Sequence, residues 1–137
     1  MKSIKLQFLA LITILSGVTV ACSIDSDSEP NCFSAGYEFT SVVTGPDSTK
    51  VNVPITINVS FKLQNSCGVY KNMGETNGFP KYVAPYVEYN GCECTPTVTT
   101  VTKPYTFTAP AVGRYELRFT KDAQQQYLTK TIVVTAQ

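Results

Sequence analysis

The 137-residue sequence contains no histidine and no tryptophan, and only 15% of its residues are charged. Because histidine is the usual general base at neutral pH, its absence excludes Ser–His and Cys–His nucleophile systems as well as histidine metal ligands. The 11 basic and 10 acidic residues give a net charge of +1 without any basic run, which argues against nucleic acid as a partner. No glycine-rich phosphate-binding loop is present. These absences predict a protein that is not an enzyme and that needs no metal or cofactor.

Carboxylate pairs are the catalytic arrangement that the composition leaves open. Glu88 and Glu93 are the acids nearest to each other in a predicted hairpin, where they flank Asn90-Gly91. We interpret them as solvated residues on exposed strand faces rather than as a general acid and its partner.

The first 22 residues have the pattern of an export signal. Lys2 and Lys5 precede an apolar run over residues 6–15, and Ser16-Gly17 then leads to Thr19-Val20-Ala21-Cys22. This stretch resembles the signal and lipobox of bacterial lipoproteins, which implies a signal peptide over residues 1–21 and lipid attachment at Cys22. Thr19 stands where lipoboxes favour leucine, so ordinary cleavage after Ala21 is the alternative. A membrane-spanning helix is disfavoured, because it needs about 20 predominantly apolar residues and this run is shorter.

The segment after Cys22 predicts where the protein is held. Residues 22–30 are polar and acidic, which suits a disordered tether between a lipid anchor and a domain over residues 31–137. The segment also resembles the acidic stretch that follows the lipid cysteine in surface-exported lipoproteins of some two-membrane bacteria; a spacer without sorting information is the alternative. The expected location is therefore the outer membrane, lipid-anchored and displayed at the cell surface.

The number of cysteines agrees with a lipid on Cys22. The chain has five cysteines, and assigning the first to a lipid leaves an even set for two disulfide bonds: Cys32, Cys67, Cys92 and Cys94. Cys92 and Cys94 are too close in sequence for an unstrained bridge, so each is expected to pair with Cys32 or Cys67, in an order that stays open. The predicted role of both bonds is structural.

Two other roles for these cysteines are less favourable. A redox pair formed by Cys92 and Cys94 would normally lie at a helix N-terminus that lowers the thiol pKa, and no helix is predicted. A zinc site would require two close cysteine pairs, whereas Cys32 and Cys67 are isolated in the sequence.

The region after residue 31 has an all-β pattern. Residues 51–63 alternate between apolar and polar side chains, with Pro54 expected at a sheet edge or bulge, and no segment shows a sustained helical period. Asn90-Gly91 is suited to a type I′ turn, so the runs on either side of it are predicted to form a hairpin. The remaining predicted strands cover residues 37–43, 82–89, 92–102, 105–109, 114–119 and 131–136. The spacing predicts a two-sheet antiparallel sandwich of about seven strands.

Tyr115 lies near the start of the penultimate predicted strand, in which Tyr115, Leu117 and Phe119 are expected to point inward. Because a tyrosine at this position can turn back and hydrogen-bond the preceding loop, it resembles the tyrosine corner of immunoglobulin-like sandwiches. The core tryptophan of immunoglobulin domains is missing. Signal, tether and domain together resemble small immunoglobulin-like lipoproteins of two-membrane bacteria, many without assigned activity. That resemblance implies a lipid-anchored envelope module with a non-enzymatic binding or structural role.

Aromatic residues between residues 68 and 86 are the candidate ligand contacts: Tyr70, Phe79, Tyr82 and Tyr86. Exposed aromatic rings can stack on sugars or anchor a protein partner, so a glycan or protein ligand is expected. The alternative is that most of them pack at the ends of the sandwich; Tyr86 has the parity of the exposed strand face. The alternative functions are a surface carbohydrate-binding accessory protein and an inhibitor of an extracellular hydrolase.

Overall fold

The computed structural model describes residues 32–137, which fold into strands and loops without a helix. The all-β prediction is confirmed, but this part of the chain has nine strands rather than about seven. They are β1 (Phe33–Tyr37), β2 (Thr40–Thr44), β3 (Ser48–Lys50), β4 (Ile55–Leu63), β5 (Gly68–Glu75), β6 (Lys81–Asn90), β7 (Thr99–Phe107), β8 (Gly113–Thr120) and β9 (Tyr127–Thr135). The predicted signal peptide, Cys22 and the tether lie outside the described residues.

The strands form two sheets of unequal size. The larger sheet has the order β1-β6-β8-β9-β3, with β5 also paired to β6, and the smaller sheet has the order β2-β4-β7. Most neighbouring strands are antiparallel, as predicted. The pairs β3/β9 and β6/β8 are parallel, which corrects the prediction of a wholly antiparallel fold. The architecture is a two-layer β-sandwich.

The core lies between the two sheets and follows the alternation of the sequence. On β4, Ile57, Val59 and Phe61 are fully buried, while Thr56 and Asn58 point to solvent, because successive side chains of a strand face opposite sides. This confirms the alternation predicted for this strand. The other buried apolar strand residues come from both sheets: Val83, Pro85, Val87, Tyr105, Phe107, Leu117, Phe119, Ile132 and Val134.

Tyr115 makes the contact that was predicted for it. Its hydroxyl donates a hydrogen bond to the carbonyl oxygen of Ala111, four residues earlier, at 2.9 Å. The ring also packs against Phe79 and Phe107, with centroid distances of 4.7 and 5.7 Å. Tyr115 therefore joins the loop before β8 to one end of the core.

The predicted hairpin around Asn90-Gly91 is wrong. A type I′ turn needs positive φ at both central residues, but only Gly91 of this pair has one, at 146°. The strand after the turn, β7, pairs with β4 in the smaller sheet and not with β6. Residues 92–98, predicted as part of a strand, belong to the loop that leads from β6 in the larger sheet to β7 in the smaller one.

Three other strand limits differ from prediction. Residues 37–43 do not form one strand, because the chain leaves the larger sheet after Tyr37 and enters the smaller one at Thr40. β4 begins at Ile55, after Pro54, and is the central strand of its sheet rather than an edge. Residues 68–75, for which no strand was predicted, form β5. Alternation shows which face a residue occupies but not where a chain changes sheets.

Two disulfide bonds stabilise the loop that follows β6. Cys32 pairs with Cys92 and Cys67 pairs with Cys94, with Cα–Cα distances of 4.9 and 5.5 Å. These bonds confirm that Cys92 and Cys94 pair elsewhere, and they settle the order that the sequence left open. Gly91 is required beside them, because a Cβ at this position would lie 2.9 Å from the Cys67 sulfur.

Candidate functional site

The outer face of the larger sheet carries four tyrosines. Tyr82 and Tyr86 project from β6 on the side opposite the buried Val83, as the strand alternation requires. Tyr37 on β1 lies directly opposite Tyr86 in the strand register, and Tyr127 on β9 contacts Tyr82. We call Tyr37, Tyr82, Tyr86 and Tyr127 the tyrosine face.

The four rings of the tyrosine face pack as two pairs. The ring centroids of Tyr37 and Tyr86 are 5.3 Å apart, and those of Tyr82 and Tyr127 are 5.0 Å apart, both in edge-to-face geometry. Such a pair contributes about 0.5–1.5 kcal/mol beyond area burial, because the positive ring edge meets the negative ring face. Tyr37 is nevertheless 63% exposed. The rings are thus held in place by one another while part of their surface stays accessible.

Arg118 on β8 holds Tyr82 in place from the neighbouring strand. Its guanidinium carbon lies 5.7 Å from the Tyr82 ring centroid, and its Nη1 donates a hydrogen bond to the Tyr82 hydroxyl at 3.1 Å. Its Nε donates to Glu116 Oε1 at 2.5 Å. The hydrogen bonds to Glu116 and Tyr82 raise the pKa of Arg118. This cation is therefore already paired within the protein.

An open pocket of about 340 Å³ lies between the two ring pairs. Its floor is formed by Gly74 and Ala84, which are opposite each other in the register of β5 and β6. Tyr37 and Tyr82, one from each ring pair, stand at its sides. The floor is low because neither residue has a side chain beyond Cβ, and a Cβ at Gly74 would collide with the Tyr37 ring.

The pocket exists because two strands share one edge of β6. β1 pairs with this edge from Tyr86 onward, and β8 pairs with it only as far as Val83. Neither ladder includes Ala84 or Pro85. Pro85 has no N–H to leave unpaired, and its carbonyl oxygen accepts a hydrogen bond from the Glu38 N–H at 2.8 Å. The gap between the two ladders therefore lies beside the pocket floor.

The structure places two of the four predicted aromatic candidates on this surface. Tyr82 and Tyr86 both belong to the tyrosine face, with Tyr86 on the outer side that its parity indicated. The sequence analysis did not select Tyr37 and Tyr127, which come from the first and the last strand of the domain, β1 and β9. Local alternation gave no sign that these strands would bring their rings to β6.

The other two candidates lie elsewhere. Tyr70 on β5 faces the core side, where its ring centroid is 5.6 Å from that of Phe61, and burial raises the pKa of Tyr70. Phe79 packs edge-to-face on Tyr115 at the end of the sandwich, although it is 48% exposed. Neither ring shares a surface with the tyrosine face.

A polar cluster joins the two sheets near the end of β5. The Tyr105 hydroxyl donates to Glu75 Oε2 at 2.5 Å, and Lys81 Nζ donates to Glu75 Oε1 at 2.9 Å. Burial, with the hydrogen bond to Glu75, raises the pKa of Tyr105. Burial by itself would raise the pKa of Glu75, but the hydrogen bonds from Tyr105 and Lys81 lower it. Tyr105 belongs to the smaller sheet and Glu75 to the larger one, so we interpret the cluster as an inter-sheet tie.

A second cluster joins Tyr89 to Glu38, which lies just before β2, and to Gln64, which lies just after β4. The Tyr89 hydroxyl donates to Glu38 Oε1 at 2.6 Å and accepts a hydrogen bond from the Gln64 N–H at 3.0 Å. Burial and the bond to Glu38 raise the pKa of Tyr89 to about 12. Tyr89 therefore stays protonated at physiological pH and acts as a structural donor.

The remaining candidate features are less suited to a ligand. A larger depression of about 440 Å³ lies between β2 and β9; its lining residues, all in the described part of the chain, include no aromatic ring. Glu88, which flanks the Asn90-Gly91 turn with Glu93, forms an ion pair with Lys71 at 2.8 Å. Within residues 32–137, no three His, Cys, Asp or Glu side chains lie together as a metal site would require. The same residues contain no helix with the length and apolar character needed to cross a bilayer.

Comparison of the chain with protein-family models, with curated proteins and with solved structures gives no match.

Proposed function

We propose that the protein is a lipid-anchored, non-enzymatic binding module of the cell envelope, displayed at the outer-membrane surface. The lipobox-like end of the signal at Cys22 and the acidic tether over residues 22–30 support the anchor. The absence of histidine from the sequence supports a role without catalysis. The tyrosine face is the ligand-binding surface in this proposal.

The proposal includes an immunoglobulin-like identity for the domain. Two facing sheets and the hydrogen bond from Tyr115 to Ala111 support it. The parallel pairing of β6 with β8 is a variation on the antiparallel sheets of that class.

The tyrosine face is the structural feature that most strongly supports a binding function. Tyrosine offers a large, amphipathic contact area with few rotatable bonds, so it loses little conformational entropy on binding. Here the rings are also held by edge-to-face contacts and by Arg118, which reduces that entropy further. A pre-organised, accessible cluster of tyrosine rings is typical of a binding site.

Replacing Cys22 with alanine is expected to abolish acylation and to remove the protein from the outer membrane. Each buried methylene contributes roughly 0.8 kcal/mol, so two or three acyl chains anchor a protein durably. Metabolic labelling with an alkyne fatty acid, followed by membrane fractionation, measures both effects, and Ser23→Ala should retain the label. A wild-type protein that lacks the label and begins at an unmodified Cys22 would show ordinary cleavage after Ala21 and contradict the anchor.

Binding through the tyrosine face predicts that this face is covered on intact cells. Hydroxyl-radical labelling of Tyr37 should fall several-fold on cells relative to the purified protein in detergent. Val112 is a matched control at the end of the sandwich, because it is 62% exposed and Tyr37 is 63% exposed. Mass spectrometry gives the cell-to-purified ratio for each residue. Equal ratios at the two positions would contradict the binding role of this face.

A further inference from the structure

The charges around the pocket on the tyrosine face restrict its ligand. Among its lining residues, all within residues 32–137, the charged side chain is Glu75, which already binds Lys81 and Tyr105. The nearby Arg118 is paired with Glu116. A phosphate, sulfate or carboxylate ligand would therefore find no available counter-charge, and a cation would compete with Lys81 for Glu75.

The shape of the pocket suits a small ring. Its volume of about 340 Å³ is near the lower end of the roughly 300–1,000 Å³ usual for small-molecule sites. Gly74 lets the Tyr37 ring lie close to β5, Ala84 keeps the floor beside it low, and Tyr37 and Tyr82 provide ring surfaces at the sides. Because the pocket is open, one face of a ligand can stay hydrated while the other contacts the protein.

Apart from Glu75, the polar side chains at the pocket are neutral hydroxyls. Thr76, Thr120, Tyr37 and Tyr82 line it, and each carries an oxygen that can donate or accept a hydrogen bond. A ligand that matches this site has an apolar face for the rings and several neutral hydroxyls at its edge. Sugar rings have both properties: their C–H bonds are attracted to the negative face of an aromatic ring, and their hydroxyls lie at the edge.

We propose that this pocket binds a neutral pyranose unit of a glycan, with the sugar ring over Ala84 and in contact with Tyr37 and Tyr82. This inference rests on the proposed binding role of the tyrosine face and names its ligand class. It assigns no role to Tyr70 or Phe79, which lie on other surfaces.

The test uses the mature lipidated protein in detergent on an array of neutral oligosaccharides built from glucose, galactose, mannose, xylose and N-acetylglucosamine, beside uronic-acid and sulfated glycans. Binding to at least one neutral chain is expected. Tyr37→Ala removes a side wall and Ala84→Leu fills the floor. Each should weaken binding of that chain by at least about tenfold, since Tyr37→Ala removes contact area and Ala84→Leu occupies the space of the ligand.

Ala35→Leu is the matched control for Ala84→Leu. Ala35 is exposed on the same outer face, opposite Glu88 and outside the pocket lining. The same enlargement there should leave glycan affinity unchanged. Thermal unfolding of all three variants, each altered on the outer face, shows whether a loss of binding reflects a loss of fold.

Each of the following results would overturn the proposal. One is that Ala84→Leu binds neutral glycans as tightly as the wild type does. Another is that the protein binds only charged glycans. Alternatively, no glycan could bind while Tyr37 is still protected on cells, which would reject the sugar ligand but leave the binding module in place. If Tyr37 is also unprotected, both the ligand and the proposed function are wrong.

Discussion

Replacing Cys32 and Cys92 together with alanine is expected to lower the free energy of unfolding by about 4 kcal/mol. The bond joins residues 60 positions apart, so it removes much of the conformational freedom of the unfolded chain. In this chain-entropy model the stabilisation grows with the logarithm of the loop length. The bond between Cys67 and Cys94 spans only 27 positions, for which the model gives about 3.5 kcal/mol. Since domains are typically stable by about 5–15 kcal/mol, either loss is a large share of the total.

Urea unfolding of the mature protein at neutral pH measures these changes. The Cys67→Ala, Cys94→Ala double variant is the matched control, because it removes the other bond to the same loop. Paired replacement also avoids the free thiol that a single substitution would leave. A loss below about 1 kcal/mol for the Cys32 and Cys92 pair would show that the bond does not restrain the unfolded chain as this relation requires.

Phe119→Ala is expected to destabilise the domain by about 3–5 kcal/mol, the usual cost of deleting a buried phenylalanine ring. Phe119 is 0% exposed on β8, and its ring meets that of Tyr105 edge-to-face at 6.1 Å. Because Phe119 belongs to the larger sheet and Tyr105 to the smaller one, its removal leaves a cavity between the two layers.

Phe39→Ala is the matched control for the buried phenylalanine. Phe39 is 45% exposed in the segment between β1 and β2, so its truncation should cost less than about 1 kcal/mol. Thermal unfolding separates the two cases, since each kcal/mol shifts the melting temperature by roughly 4–8 °C in a domain of this size. Equal shifts would contradict the inward orientation of Phe119.

Features that depend on neighbouring residues could be predicted from the sequence. The alternation in residues 51–63 located the buried face of β4, and the spacing of Tyr115, Leu117 and Phe119 located that of β8. A two-residue period follows from the geometry of any strand, whichever strand lies beside it. The even set of four cysteines after Cys22 likewise predicted two disulfide bonds. The short separation of Cys92 and Cys94 predicted that each would pair with a different, distant cysteine.

Features that depend on strand partners could not be predicted. Asn90-Gly91 has the composition of a tight turn, yet the chain there is bonded through Cys92 and Cys94 to segments before β1 and β5. It then crosses to the other sheet. Nothing in the adjacent residues encodes those distant contacts, so the local turn signal predicted the wrong strand pairing.

The sequence by itself determined the strand-rich class, the inward faces of β4 and β8 and the cysteines available for cross-linking, because backbone geometry and side-chain polarity act locally. Only the tertiary structure decided that β1 and β8 share one edge of β6, and that Tyr37 and Tyr127 join Tyr82 and Tyr86. The pocket above Gly74 and Ala84 follows from that pairing. Strand order is set by the packing of the whole core, and a two-residue period carries no information about which strand will be the neighbour.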